Sequence, residues 1–148
     1  MPPLFVYGTL RDPDILAGVL ARPLNVGALV PATAPGFRAV YYPGRVYPAL
    51  IRAPGAAAEG LLLTDITPFE SDLLDAFEGD EYSRALIAVM VDAELHEANA
   101  YLPSISVAQD SAPWSLADWQ ARHKPRVLAG EQASARDLRL KLLAIRPH

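Results

Sequence analysis

The first twenty residues show two hydrophobic patterns in succession. Residues 4–6 form a short apolar run that stops before Gly8, as a buried strand entering a loop does. Asp12 and Pro13 then stand where the N-cap and the first residue of a helix belong, and apolar residues recur at helical spacing as far as Leu20. We therefore predict a strand, a loop and a helix within this segment.

Between Asn25 and Ile66 the pattern changes to short runs of valine, leucine, alanine and tyrosine, separated by turn-forming residues. Proline and glycine occur as pairs at positions 35–36, 43–44 and 54–55, and such pairs are typical of turns between strands. The segment therefore predicts several β-strands, arranged as a meander or as the wall of a barrel.

A second helix is predicted from Thr67 onwards. Thr67, Pro68 and Glu70 supply a capping residue, a proline at the first helical position and the returning carboxylate of a capping box. Gly79 is placed to adopt the left-handed conformation that ends such a helix. The apolar residues share one face, which we expect to pack on the core: Phe69, Leu73, Leu74 and Phe77.

A hairpin and further helices are predicted in the second half of the chain. Residues 84–91 and 95–102 have the composition of two strands joined at Asp92-Ala93, and the polar segment from Pro103 to Pro113 indicates a loop. Strands in mixed order, with helices before, between and after them, favour an α+β fold over a doubly wound sheet.

Two helices are expected at the C-terminal end. Ser115 is a candidate cap for a helix that contains Trp119 and that Pro125 would end or kink, and a last amphipathic helix fits residues 134–145. The 148 residues suffice for one well-packed core. We therefore expect a single domain over residues 1–148.

Composition and charge narrow the class of protein. Hydrophobic residues make up 51% of the chain, which excludes disorder as its main state. A formal charge of −4 offers no surplus of cations for phosphates, so we expect no nucleic-acid partner. No apolar run approaches a membrane span and the N-terminus lacks a signal-peptide pattern, so we expect no membrane association and a cytoplasmic location.

The residue types available for chemistry are few. The chain has no cysteine, which excludes disulfides, a thiolate nucleophile and cysteine-ligated zinc. His96, His123 and His148 lie far apart, with none at a zinc-ligand spacing from another, and the common nucleotide-binding and hydrolase motifs are absent. We expect no metal.

Two segments still point to chemistry. The first is Tyr7-Gly8-Thr9-Leu10, where a glycine directly after a buried strand lets successive backbone N–H groups point into one concavity. Such a loop binds an anion or a developing oxyanion. The alternative is that it is an ordinary turn from strand to helix.

The second segment is the acidic corner, residues 75–82, which contains Asp75, Glu78, Asp80 and Glu81. Carboxylates are electrostatically disfavoured at the C-terminal end of a helix, so a contribution to helix stability does not explain their presence there. Their crowding, together with partial burial, would raise the pKa of at least one carboxyl towards the range that a general base requires. The alternative is a solvated acidic loop.

Together these segments resemble the γ-glutamylcyclotransferase-like superfamily, which includes γ-glutamylamine cyclotransferases and plant avirulence-induced proteins. The matching motifs are V-Y-G-T-L at residues 6–10, Tyr47-Pro48-Ala49, and L-D-x-x-E-G at residues 74–79, with Tyr82 and Arg84 following. The resemblance implies a small mixed β-barrel flanked by helices, with the tyrosine-glycine loop and the glutamate meeting in one cavity.

The resemblance also implies an activity and its residues. The family cyclises a γ-glutamyl group to 5-oxoproline and releases an amine, without a cofactor. Glu78 matches the catalytic acid/base of the family, the loop Tyr7, Gly8, Thr9 and Leu10 matches its substrate-binding loop, and Tyr82 and Tyr101 match tyrosines of its pocket. The loop amides would hold either the substrate α-carboxylate or the tetrahedral oxyanion, and the expected partner is a small γ-glutamyl compound.

Departures from the family motifs favour one branch. The loop reads Y-G-T-L rather than Y-G-S-N, which favours the γ-glutamylamine or plant-like branch. The segment from Trp114 to His123 resembles the tail of that branch, and we interpret its tryptophans as helix-packing residues. Two other hypotheses stay open: a binding module that has kept the cavity without turnover, and an interaction domain. An exposed edge strand would allow a homodimer, which no residue pattern decides.

Overall fold

The computed structural model describes residues 2–145, so His148 lies outside the described residues. The strands and α-helices in chain order are β1 (Leu4–Val6), α1 (Pro13–Leu20), β2 (Leu29–Tyr41), β3 (Pro48–Leu63), α2 (Pro68–Glu78), β4 (Tyr82–Val91), β5 (Glu94–Pro103), α3 (Leu116–Arg122) and α4 (Lys124–Ile145). Short 3₁₀ turns cover Thr9–Arg11, Val26–Ala28 and Gly79–Glu81. The predicted α+β class is confirmed.

The first two helices begin as their sequences predict. The carboxylate of Asp12 accepts hydrogen bonds from the backbone N–H groups of Asp14 and Ile15, and Pro13 is the first residue of α1. Thr67 and Glu70 form the complete capping box of α2. Gly79 follows α2 with φ 68° and ψ −155°, so its φ is positive as expected, whereas its ψ lies outside the left-handed helical region.

The predicted β-structure between Asn25 and Ile66 is confirmed, but the number of strands differs from the prediction. The segment forms two long antiparallel strands, and only the 43–44 pair lies in the connection between them. The other two pairs lie inside β2 and β3, where the strand register shifts between Pro35 and Phe37. Gly36 and Gly55 adopt φ of 80° and 86°, so these pairs bend the ribbon instead of ending its strands.

The five strands form a mixed barrel in the order β1-β3-β2-β4-β5. β5 returns to β1 through a parallel pairing of Leu4 with Asn99, and all other neighbours are antiparallel. Gly60 allows β3 to pass close to β1, because a Cβ atom there would lie 2.4 Å from the carbonyl oxygen of Val6. β4 and β5 meet at Asp92-Ala93, as the sequence predicts.

The C-terminal helices differ from the sequence prediction. Ser115 caps α3 as expected, but α4 begins at Lys124, ten residues before the predicted start, and Pro125 lies in its first turn. Proline is tolerated in the first turn of a helix because the N–H groups there have no intrahelical partner. None of the helices within residues 2–145 is long and apolar enough to cross a membrane.

One buried carboxylate joins the first helix to the last two. Asp12 is fully buried, and besides capping α1 it accepts hydrogen bonds from Nε2 of Gln120 in α3 and Nζ of Lys124 in α4, both at 2.9 Å. Lys124 also pairs with Asp14 at 2.6 Å. We call this group of contacts the Asp12 hub; it fixes the start of α4 against α1.

Candidate active site

A cavity of about 290 Å³ lies between the loop after β1, the C-terminal end of α2 and α4. All seven residues that the family resemblance assigns to the site contribute to its lining, whereas Asp75 and Asp80 of the acidic corner do not. The lining consists of Phe5, Val6, Tyr7, Gly8, Thr9, Leu10, Val46, Tyr47, Pro48, Phe77, Glu78, Glu81, Tyr82, Tyr101, Trp119, Val127, Glu131, Ser134 and Leu138. The structure therefore brings together two segments that lie about seventy residues apart in the sequence.

The loop after β1 offers unpaired backbone donors. Gly8 caps a 3₁₀ turn in which the N–H groups of Arg11 and Asp12 bond to the carbonyls of Gly8 and Thr9. Within residues 2–145 no hydrogen bond uses the N–H groups of Gly8, Thr9 or Leu10 as donors. Because all three residues line the cavity, a ligand oxygen there can accept from them.

Gly8 is required by packing. Its φ of −119° is accessible to other residues, but a Cβ atom would lie 2.8 Å from Cγ of Pro48. Pro48 belongs to the Tyr47-Pro48-Ala49 motif at the start of β3. The glycine thus lets the loop and this motif lie against each other at the cavity wall.

Glu78 is the last residue of α2, and its carboxylate faces the cavity. Within residues 2–145 it has no hydrogen bond or ion pair, and no described buried side-chain oxygen lacks a partner, so its oxygens reach the open space. Burial, and then the negative charges of Glu131 and Glu81, raise the pKa of Glu78 to about 8.

The other carboxylates of the acidic corner have different surroundings. Asp75 pairs with Arg84 at 2.9 Å and accepts a hydrogen bond of 2.7 Å from the hydroxyl of Tyr101. Glu81 pairs with Arg45 at 3.2 Å, whereas Asp80 is exposed. Crowding within this corner therefore raises the pKa of Glu78 less than burial does.

Tyrosines form much of the cavity wall, and their hydroxyl groups are held in place. Tyr7 donates to the carbonyl oxygen of Tyr101, Tyr82 donates to that of Pro48, and Tyr47 donates to the Glu81 carboxylate. Burial raises the pKa of Tyr7, Tyr82 and Tyr101 far above the ordinary value of a tyrosine. These hydroxyl groups therefore stay protonated and keep their positions in the cavity wall.

The contribution of α4 to the cavity is not predicted from the sequence. Glu131 faces the cavity from this helix, and Val127, Ser134 and Leu138 share its helical face. Because the last helix is predicted only from residue 134, Glu131 lies outside every predicted element; the signal that could have found it is Pro125, suitable for a first turn. Trp119 is fully buried and also lines the cavity.

No group of three or more histidine, cysteine or acidic side chains within residues 2–145 is arranged to hold a metal ion. The lining offers two unpaired carboxylates, those of Glu78 and Glu131, together with a set of backbone donors and an aromatic wall. Such a site can transfer protons while holding an anionic oxygen of a small ligand.

Comparisons with known proteins agree with the geometry. The family model described as gamma-glutamyl cyclotransferase, AIG2-like, matches residues 4–121. AIG2-like protein A of Arabidopsis thaliana is 30% identical over 128 residues, which cover 84% of this chain and 76% of that protein. AIG2-like protein D of the same plant is 30% identical over 144 residues, which cover 95% of this chain and 93% of that protein.

Solved structures share the fold. An Arabidopsis thaliana protein determined in solution superposes with a TM-score of 0.66 at 26% identity, covering 99% of this chain and 95% of that one. A gamma-glutamyl cyclotransferase superposes with a TM-score of 0.52 at 16% identity, covering 99% of this chain and 88% of that one.

Proposed function

Since the chain belongs to the gamma-glutamyl cyclotransferase, AIG2-like family, we propose that it cyclises a γ-glutamyl amine or amide to 5-oxoproline and releases the free amine. One observation carries the proposal. The unpaired carboxylate of Glu78 shares a cavity with the unpaired N–H groups of the loop from Gly8 to Leu10. At about 290 Å³ the cavity is suited to a small metabolite.

The reaction moves two protons from the α-nitrogen of the substrate to the departing nitrogen. The free α-amine of the substrate attacks its own γ-carbonyl, forming the new C–N bond of a five-membered ring and a tetrahedral oxyanion. The bond to the departing nitrogen then breaks. Glu78 takes a proton from the α-ammonium group and returns it to the departing nitrogen. The α-nitrogen loses a second proton once it has attacked, and the same carboxylate passes it on, so the amine leaves as an ammonium ion and no proton is gained or lost overall. Because nucleophile and electrophile share one molecule, the protein mainly holds the attack geometry.

The pKa of Glu78 suits this role. A value of about 8 is close to that of an amine, so the proton can pass in either direction without a large energy difference. The approach of the substrate ammonium favours the ionised carboxylate, which then acts as a base. The loop amides bind an anionic oxygen of the substrate, either its α-carboxylate or the developing oxyanion.

The first experiment measures 5-oxoproline from a panel of γ-glutamyl amines and γ-glutamyl amino acids. We expect product with the wild-type protein and a loss of about 10²–10⁴-fold in kcat/KM for Glu78→Gln, because the amide cannot accept the proton. Asp80→Asn is the matched control, since it neutralises an exposed neighbouring carboxylate. Circular dichroism checks that both variants are folded.

The outcomes separate the hypotheses. Unchanged turnover by Glu78→Gln contradicts the assigned base. Saturable binding of γ-glutamyl compounds without any product supports the binding module instead.

A further inference from the structure

The cavity wall carries more negative charge than a γ-glutamyl group neutralises. Glu78, Glu81 and Glu131 line it, and none of its described lining residues is lysine or arginine. Arg45 and Tyr47 already hold the carboxylate of Glu81. Two carboxyl groups, those of Glu78 and Glu131, therefore remain for a ligand.

Glu131 stands in the middle of a cavity-facing stripe on α4. Its neighbours on that face are Val127, Ser134 and Leu138, so its side chain is partly removed from water. Within residues 2–145 it has no hydrogen bond or ion pair, although it lines the cavity; its oxygens are not sealed from open space, because no described buried side-chain oxygen lacks a partner. A partly buried carboxylate without a partner loses hydration and gains nothing in return, so stability does not explain its presence.

A γ-glutamyl group supplies one cation, its α-ammonium, and one anion, its α-carboxylate. If the ammonium lies at Glu78, where its proton has to be taken, the charge of Glu131 is still uncompensated. The wall adds a second feature that favours a cation, because the rings of Tyr47, Tyr82 and Trp119 also line the cavity. Aromatic faces attract ammonium groups electrostatically.

We propose that Glu131 is a specificity-determining residue that selects γ-glutamyl derivatives whose departing amine carries a second positive charge, as in the mono-γ-glutamyl amide of a diamine or polyamine. The inference rests on the proposed function for the identity of the γ-glutamyl group. An amino acid as leaving group would instead bring a carboxylate towards Glu131, which like-charge repulsion disfavours.

Three compounds of similar length test the proposal: the γ-glutamyl amides of diaminobutane, pentylamine and aminopentanoate, which end in a cation, a methyl group and an anion. We expect the wild-type kcat/KM to be highest for the cation, by about tenfold over the neutral compound. Glu131→Gln should reduce this preference to about twofold or less, whereas Glu131→Asp should keep it. Raised ionic strength should weaken the wild-type preference.

Asp137→Asn is the matched control. It removes one negative charge from the same helix at an exposed residue outside the cavity, so the preference should be unchanged. Binding of the three compounds is also measured by calorimetry in Glu78→Gln and in the double variant with Glu131→Gln, where no proposed turnover interferes. Glu78→Gln alone should prefer the cation, and the double variant should not.

The two proposals fail separately. Turnover of all three compounds with no preference for the cation, or with the same preference in Glu131→Gln, overturns the role of Glu131 and leaves the cyclotransferase assignment intact. A cation preference in binding that Glu131→Gln removes, without product from any compound, supports the role of Glu131 and overturns the assignment. Tightest binding of the anionic compound overturns the role of Glu131.

Discussion

The Asp12 hub and the cavity around Glu78 remove a carboxylate from bulk water in opposite ways. Burial alone would raise the pKa of Asp12, but hydrogen bonds from Gln120 and Lys124 and from the backbone outweigh it, so its pKa lies below the ordinary value. Glu78 has no such partner within residues 2–145, and its pKa rises to about 8.

The ionised carboxylate of Asp12 stabilises the fold, whereas that of Glu78 is available for chemistry. The ionised form of Asp12 is held by four donors, so it stabilises the contact of α1 with α3 and α4. The ionised form of Glu78 opposes folding, because nothing compensates the loss of water around it. A carboxylate kept in that state at a cavity is a candidate for function.

The largest stability effect is expected at the Asp12 hub. Asp12→Ala removes the cap of α1 and leaves the donors of Gln120 and Lys124 without their buried acceptor. We expect the free energy of unfolding to fall by about 3 kcal/mol, measured by urea denaturation at pH 7.

Asp14→Ala is the control, because its exposed carboxylate also pairs with Lys124 and should cost less than about 1 kcal/mol. Equal losses in both variants would show that Lys124 pairing, rather than the buried hub, fixes these helices. Since the pKa of Asp12 is lowered, its contribution should be present above about pH 4 and lost as acid protonates it.

A stability effect of opposite sign is expected at Glu78. Between its ordinary value of 4.5 and its pKa of about 8, the folded protein holds a proton that the unfolded chain has released. The wild-type free energy of unfolding therefore falls as pH rises through this window. Because glutamine does not ionise, the stability of Glu78→Gln does not fall in this way. The variant should therefore be more stable than the wild type by about 2 kcal/mol near pH 9.

The same variant should show no gain below about pH 4.5, where the wild-type carboxyl is protonated in both states. Asp80→Asn, at an exposed position, provides the baseline for a charge change at this end of α2. A destabilised Glu78→Gln at high pH would mean that the carboxylate has a partner that stabilises it.

Local signals made the helix caps recognisable from sequence, whereas the distant partners of Asp12 were not. Asp12 and Thr67 stand directly before helices, and a capping bond needs only residues two or three positions away. The donors from Gln120 and Lys124 lie more than one hundred residues further along the chain. Nothing in the periodicity of α1 or α4 encodes that pairing.

The same reason explains the errors in element bounds. The Pro-Gly pairs at 35–36 and 54–55 favour turns locally. However, the hydrogen-bonded pairing of β2 with β3 continues on both sides of them, so the chain bends at these pairs instead of turning back. Pro125 carries a true helix-start preference, and the contact of Lys124 with Asp12 fixes the helix that includes it. In both cases the local sequence allows more than one structure, and tertiary contacts determine which one forms. Because the true start of α4 depends on such a contact, Glu131 was not predicted as a residue of that helix.

The smallest effect is expected at the rim of the cavity, where Arg45 compensates Glu81. Wild-type kcat/KM for a γ-glutamyl amide should rise with pH through a midpoint near the Glu78 pKa of about 8, because the free protein must lose that proton. In Arg45→Met the charge of Glu81 is no longer compensated, and its repulsion of the Glu78 carboxylate grows. The midpoint should move upwards by about 0.3 pH units, a small shift because Arg45 is exposed and water screens it.

Arg52→Met is the matched control, since Arg52 is exposed and does not line the cavity. A shift that disappears in 0.5 M salt would agree with this electrostatic origin, because the Debye length there is only about 4 Å. A downward shift in Arg45→Met would mean that Arg45 acts on the bound substrate rather than through Glu81. In that case the contrast between a compensated Glu81 and an uncompensated Glu78 would not explain the protonation behaviour of the cavity.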